Sequence, residues 1–77
     1  SMVIYKGKEF NEWNGDALIT SLKDQSLRRI KFKNGNFINE KIIFKGVIGR
    51  IRDIEIQETT GKIFLITDQG SIWKLQK

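Results

Sequence analysis

Turn residues recur about every ten positions along the chain, and the segments between them are rich in β-branched and aromatic side chains. Six strands are expected, at residues 17–23, 27–33, 37–44, 51–57, 62–67 and 71–75. No segment clearly indicates a helix. The predicted fold class is therefore all-β, with antiparallel sheets.

The dipeptide Asn34-Gly35 is the strongest turn signal in the sequence. Both residue types tolerate positive φ, which the two central residues of a type I′ turn require. We therefore predict a two-residue hairpin between the second and third strands. The aromatic side chains are spread about one per strand or turn, and we predict that they fill the core rather than form a surface on which bases stack.

The chain has 77 residues, enough for one modest core, so residues 1–77 are predicted to form a single β unit. Ser1 before Met2 is typical of the scar left by tag cleavage, and residues 1–2 are interpreted in that way. No stretch is long and apolar enough to span a bilayer, and the first residues lack the pattern of a signal peptide.

Cysteine and histidine are both absent from the sequence. Without cysteine there is no disulfide, no thiolate nucleophile and no cysteine-ligated zinc. Without histidine the commonest general base and the commonest transition-metal ligand are missing. The net charge of +5 permits nucleic acid, anionic lipid or an acidic small molecule as a partner. Charge alone does not choose among them.

Two arginines lie in a segment that alternates with the period of a strand, residues 49–56. In an unbulged strand Arg50 and Arg52 would share a face with Ile54, and an arginine on an apolar face needs an anion or a set of acceptors. Asp53 and Glu55 lie on the other face, so a bulge would change the assignment. The pattern favours a functional pair of arginines.

Lys23 closes the first predicted strand, at a strand end where binding residues often emerge from a scaffold. A lysine at such a position is commonly only a solubilising edge charge. Its interpretation as part of a site depends on the two arginines. Together these three residues are the candidate cationic half of an anion-binding site.

Several ordered motifs in the sequence match a known family. The chain resembles the C-terminal part of the soluble glucose/sorbosone-type aldose dehydrogenases, which use pyrroloquinoline quinone (PQQ). The matching motifs are FNEWNGDALI, SLK, SLRRI, GRIRDI and LITD, at residues 10–19, 21–23, 26–30, 49–54 and 65–68. Several motifs in order are far more specific than any one of them.

The resemblance implies that the chain forms roughly the last one to two blades of a six-bladed β-propeller. It also implies that Lys23, Arg50 and Arg52 contact the quinone, with Asp53 and Asp68 behind them to hold the arginines in place. The chemistry is consistent, because PQQ carries three carboxylates, which guanidinium groups bind in a bidentate manner.

The family oxidises an aldose with a histidine base and a calcium ion. Neither the base nor an oxygen-rich calcium loop occurs in this sequence, so both would belong to the rest of a longer parent protein. The 77 residues alone are expected to be inactive, without a catalytic residue or a metal ligand of their own. The resemblance places the parent in the periplasm or outside the cell.

Two other interpretations remain open at this stage. A small basic β-barrel could bind nucleic acid or another anionic partner, although the motifs and the scattered aromatics make nucleic acid the weaker choice. A propeller-derived segment could also carry no ligand at all. In a fragment of a propeller, unpaired edge strands would dock on the remaining blades or drive self-association.

Overall fold

A computed structural model describes residues 1–76, so Lys77, the last residue of the predicted unit, lies outside the described part. Seven strands are present in this part: β1 (Met2–Ile4), β2 (Ala17–Ser21), β3 (Ser26–Lys33), β4 (Asn36–Lys45), β5 (Ile51–Ile56), β6 (Ile63–Thr67) and β7 (Ile72–Leu75). One turn of 3₁₀ helix, Asn11–Trp13, precedes β2. The strands form two antiparallel sheets, ordered β1-β2-β3-β4 and β5-β6-β7. The prediction of an all-β fold with antiparallel sheets is confirmed.

All six predicted strands are present, and the prediction of six was one too few. Strand β1 was missed because only three residues form it, and it is defined by its pairing with β2, in which Met2 lies opposite Ile19. Ser1 also contacts β2, since its carbonyl oxygen accepts a hydrogen bond from the Thr20 N–H at 2.9 Å. Residues 1–2 therefore take part in the fold as it stands.

The hairpin between β3 and β4 turns at Asn34 and Gly35, as predicted. Their φ values are +54° and +80°, which is the requirement of a type I′ turn, and Lys33 lies opposite Asn36 at its base. Further along the pair, β4 has two register shifts relative to β3. The position of this hairpin was therefore predicted correctly from its two turn residues.

The core lies between the two sheets, where β2 packs against β5. Tyr5 is fully buried there, and its hydroxyl donates to the Gly61 carbonyl oxygen at 2.6 Å and accepts from the Phe10 N–H at 3.1 Å. The main chain at Gly61 passes so close to Gly7 that a Cβ on Gly61 would lie 2.8 Å from the Gly7 Cα. The buried hydrophobic residues are Tyr5, Phe10, Ala17, Leu18, Leu27, Ile51, Ile54, Ile63 and Leu65.

The prediction that the aromatics fill the core holds for some of them and is wrong for others. Tyr5 and Phe10 are buried, whereas Phe32, Phe37 and Trp73 are 42%, 62% and 49% exposed. The exposed residues lie on the β3–β4 hairpin and on the edge strand β7. Alternation cannot distinguish a face covered by a neighbouring sheet from a face that has none, so the sequence overestimated their burial.

Each sheet has two edges that no strand within residues 1–76 covers. The outer edges are β1 and β4 in the first sheet and β5 and β7 in the second. No helix within the described residues is long and apolar enough to cross a membrane.

Candidate functional site

Three connecting segments of the fold lie at the same end of the two sheets. They are the β2–β3 turn at residues 22–25, the β4–β5 connection at 46–50 and the β6–β7 turn at 68–71. Antiparallel pairing brings the end of β2 near the end of β4 in the first sheet and the start of β5 beside the end of β6 in the second. The connection at 46–50 joins these two groups, because it runs from the end of β4 to the start of β5. We call this end of the molecule the cationic end, since it carries Lys23, Arg50 and Arg52.

Two backbone hydrogen bonds join these segments. The Gly46 N–H donates to the Gln25 carbonyl oxygen at 3.0 Å, and the Asp68 N–H donates to the Arg50 carbonyl oxygen at 3.0 Å. The first bond ties the β2–β3 turn to the start of the connection that leads to β5. The second ties the end of that connection to the β6–β7 turn. The structure therefore fixes the main chain on both sides of the candidate cations.

Lys23 lies in the turn itself and not at the end of a strand as predicted. Strand β2 ends at Ser21, and the chain then turns over residues 22–25. The turn is completed by Gln25, whose φ of +54° is unusual for a residue with a side chain. The Lys23 side chain is exposed to solvent.

The arginine pair differs from the predicted geometry. Ile51 lies opposite Thr67 and Asp53 opposite Ile66, so Arg52 is the extra residue of a β-bulge. The shared apolar face expected for an unbulged strand is therefore not formed, and Arg50 and Arg52 are both exposed. The bulge instead allows Ile51 and Ile54, three positions apart, both to be buried, at 2% and 6% exposure.

The three candidate cations have no acidic partner of their own within residues 1–76. The ion pairs found there are Arg28 with Asp24, Arg28 with Glu40, and Arg29 with Asp16. No hydrogen bond or ion pair within the described residues involves the side chains of Lys23, Arg50 or Arg52. Their charge is thus available to an external anion.

The two aspartates expected behind the arginines make other contacts. Asp53 Oδ1 accepts a hydrogen bond from the Ile54 N–H at 2.9 Å. Asp68 is exposed, and its link to Arg50 runs through its backbone N–H rather than its carboxylate. Neither carboxylate forms an ion pair with Arg50 or Arg52 in the described residues.

Sequence reasoning missed an acidic group beside Lys23. A hydrogen bond from the Ser26 hydroxyl, together with Arg28 and Ser21, lowers the pKa of Asp24 from 3.8 to about 2. Asp24 therefore remains ionised at neutral pH, but its charge is directed towards Arg28. The signal in the sequence is the spacing of four residues between Asp24 and Arg28, which is weak because the segment is not helical.

A second cluster was also missed, at the opposite end of β2. Arg29 Nε lies 3.6 Å from Asp16 Oδ2, and both atoms are buried without a hydrogen bond. The Arg29 guanidinium carbon lies 5.2 Å from the centre of the Trp13 ring, within the range of a cation–π interaction. This cluster holds the 3₁₀ turn against the first sheet and has a structural role.

A cleft of about 710 Å³ in the described region does not include the candidate cations. It is lined by β1 and the loop after it on one side and by the second half of β5 on the other, with Lys6, Lys8, Glu55 and Glu58 around it. No group of three or more acidic side chains within residues 1–76 is placed to hold a metal ion.

Comparison with known proteins adds two findings. The sequence profile of the family described as Glucose / Sorbosone dehydrogenase matches residues 1–74. An uncharacterized protein of Synechocystis sp. is 31% identical over 71 residues, which is 91% of this chain and 16% of that protein. The chain thus spans a minor part of the length of the curated relative that it matches.

Proposed function

The chain belongs to the glucose/sorbosone dehydrogenase family, and from this premise we propose that it is a segment of a PQQ-dependent aldose dehydrogenase. In this proposal Lys23, Arg50 and Arg52 form the part of the cofactor site that binds its carboxylates. The observation that carries the proposal is that these three cations share one end of the fold and have no acidic partner within the described residues.

The chemistry of these side chains fits the cofactor. PQQ has three carboxylates and an ortho-quinone, all of which accept hydrogen bonds. A guanidinium group presents a planar set of donors that matches a carboxylate, and lysine adds a compact point charge. Because the cations are exposed and unpaired, binding an anion does not first require an internal ion pair to be broken.

The main chain around the arginines supports this role. Burial of Ile51 and Ile54 anchors β5 on either side of the bulge, so that Arg52 projects from a fixed strand. The hydrogen bond from Asp68 holds the carbonyl of Arg50. We propose that Asp53 and Asp68 position the arginines in this way, through hydrogen bonds to and from the local backbone.

The remaining catalytic parts would lie elsewhere in the parent protein. PQQ, when bound, supplies a two-electron acceptor for the oxidation of an aldose. The general base and the calcium ligands would come from outside these residues, so residues 1–77 alone would have no turnover. We propose that the two sheets are adjacent blades of a six-bladed propeller, completed by the other blades of the parent. An exported location, periplasmic or extracellular, belongs to the same proposal.

The test measures the affinity of the full-length parent for PQQ. We expect Arg50→Ala or Arg52→Ala to raise the Kd about tenfold or more, since each removes a charge-assisted contact of about 1.5 to 3 kcal/mol. Lys33→Ala is the matched control, because Lys33 is an exposed cation at the hairpin tip and should leave the Kd unchanged. An unchanged affinity in both arginine variants would contradict the proposal.

The nucleic-acid alternative has one observation in its favour. Phe32 and Phe37 lie opposite each other and are exposed, with Lys31 and Lys33 on either side of Phe32. Exposed aromatics beside lysines are typical of surfaces on which bases stack. Binding of single-stranded DNA without quinone, falling steeply with salt and lost in Phe37→Ala, would support this alternative over the dehydrogenase.

A further inference from the structure

The chain contains two Asn-Gly dipeptides, Asn14-Gly15 and Asn34-Gly35, which are identical in local chemistry. Asparagine is a thermolabile residue. It is most reactive before glycine, because glycine has no Cβ to shield the backbone nitrogen that attacks the side chain. We propose that Asn34 is a site of spontaneous deamidation in the folded protein and that the fold protects Asn14. This inference does not depend on the proposed function.

At Asn14 both reacting groups are held by hydrogen bonds. The Asn14 side-chain Nδ2 donates to the Gly7 and Asn11 carbonyl oxygens at 2.9 and 2.8 Å, and its Oδ1 accepts from the Gly7 N–H at 2.9 Å. The nucleophile, the Gly15 backbone nitrogen, donates to the Tyr5 carbonyl oxygen at 3.0 Å. The reaction there requires these bonds to break together.

At Asn34 neither group is held. Within the described residues no hydrogen bond involves the Asn34 side chain or the Gly35 N–H. Asn34 is exposed, and no atom lies within 4 Å of the place where a Cβ of Gly35 would be. Space is equally open beside Gly15, so the difference between the sites is made by hydrogen bonds. Local opening of a hairpin tip is much less costly than disruption of a packed loop.

The reaction is balanced without any co-reactant other than water. The deprotonated Gly35 nitrogen attacks the Asn34 Cγ, a C–N bond forms, and the Cγ–Nδ2 bond breaks with loss of ammonia. Water then opens the five-membered imide at either carbonyl, giving aspartate or isoaspartate. The overall exchange is one water consumed and one ammonia released, with no change in oxidation state.

The two products have different consequences for the hairpin. Aspartate keeps the main chain intact, and Asp-Gly also suits a type I′ turn. Isoaspartate adds a methylene to the main chain of a two-residue loop, which removes the register of Lys33 with Asn36 and separates the exposed pair of Phe32 and Phe37. We therefore expect Asn34→Asp to keep the hairpin that isoaspartate disrupts.

The test incubates the whole chain in mildly alkaline buffer, under conditions in which a cooperative transition shows it to be folded, and in parallel in urea. Trypsin places the two sites in separate peptides, residues 9–23 and 34–41, and mass spectrometry follows each amide-to-acid conversion. We expect Asn34 to react about tenfold or more faster than Asn14 in the folded chain, and at a similar rate in urea.

Equal rates in the folded chain would overturn the proposal. A rate difference that persists unchanged in urea would also overturn it, because the difference would then come from the sequence and not from the structure. The variant Asn34→Gln separates this site from Asn36 and Asn39 in the same peptide. If that peptide is converted as fast in the variant, Asn34 is not the site.

Discussion

The backbone N–H of Asp68 donates a hydrogen bond to the carbonyl oxygen of Arg50, with nitrogen and oxygen 3.0 Å apart. This bond joins the residue before β5 to the residue after β6, so the two sequence motifs GRIRDI and LITD meet in space. A motif that carries two of the three cations is thereby held by a motif nearly twenty positions later. Asp68 itself is exposed.

If the three cations bind PQQ as we propose, their exposure predicts that PQQ binding depends on salt. Exposed charges are screened over about 8 Å at physiological ionic strength. We expect the affinity of the full-length parent for PQQ to fall as salt increases, and the double variant Arg50→Ala/Arg52→Ala to show a smaller slope. Titrations at several salt concentrations measure this.

Lys33→Ala serves as the control for that slope, because it removes one exposed charge far from the cationic end. It should leave the salt dependence of the parent unchanged. If the double variant keeps the full slope, the charge that attracts the cofactor lies outside these residues.

Close packing at Gly61 predicts a large effect of one methyl group. Gly61 has φ of +81°, and a Cβ there would lie 2.7 Å from the Lys8 nitrogen and 2.8 Å from the Gly7 Cα. Strain and overpacking add, so we expect Gly61→Ala to lower the free energy of unfolding by about 2 to 4 kcal/mol. Urea denaturation of the chain measures it.

Gly70→Ala is the matched control, since Gly70 has φ of +87° with no atom within 4 Å of its Cβ position. Gly70→Ala should lower the free energy of unfolding only by the backbone strain, about 1 to 2 kcal/mol. Equal losses in the two variants would show that the contacts of Gly61 with Gly7 and Lys8 have no energetic weight.

The sequence predicted the features that depend on neighbouring residues and missed those that depend on pairing. The Asn34-Gly35 turn follows from the φ preferences of two residues, and the structure confirms it. The bulge at Arg52 arises from the register of β5 against β6, which alternation along one strand does not contain. For the same reason β1, a strand only through its pairing with β2, was not found.

The same distinction between local sequence and strand pairing applies to the candidate site. The residue types of Lys23, Arg50 and Arg52 indicated an anion site. Lys23, however, lies in a turn and not at the predicted strand end, and the bulge in β5 removes the apolar face that an unbulged strand would give the arginines. What places them at one end of the fold is the antiparallel order of the strands and two backbone hydrogen bonds between distant segments. Neither can be read from local patterns.

The lowered pKa of Asp24 predicts a loss of stability in acid. Because the pKa falls from 3.8 to about 2 on folding, the ionised carboxylate stabilises the fold above the unfolded pKa, and this contribution is lost as pH falls through the folded pKa. We expect Asp24→Asn to lower the urea midpoint at neutral pH and to converge with the unmodified chain near pH 2.

Glu58→Gln is the control for this comparison, because Glu58 is exposed and makes no hydrogen bond or ion pair within the described residues. Glu58→Gln should not change the difference between the urea midpoints measured at neutral and at acid pH. A constant offset between Asp24→Asn and the unmodified chain at every pH would contradict a role for the Asp24 charge.

The open edge of β7 predicts self-association of the isolated chain. Its outer backbone groups have no partner strand within residues 1–76, and Ile72 and Trp73 on it are 69% and 49% exposed. An uncovered apolar edge favours addition of a strand from a second copy, and a lysine placed there opposes it. We expect light scattering to show a mass that rises with concentration, and a weaker rise in Ile72→Lys. Val47→Lys, an equally exposed position outside any strand, should still associate. If the unmodified chain is a monomer at high concentration, the open edge of β7 does not drive self-association.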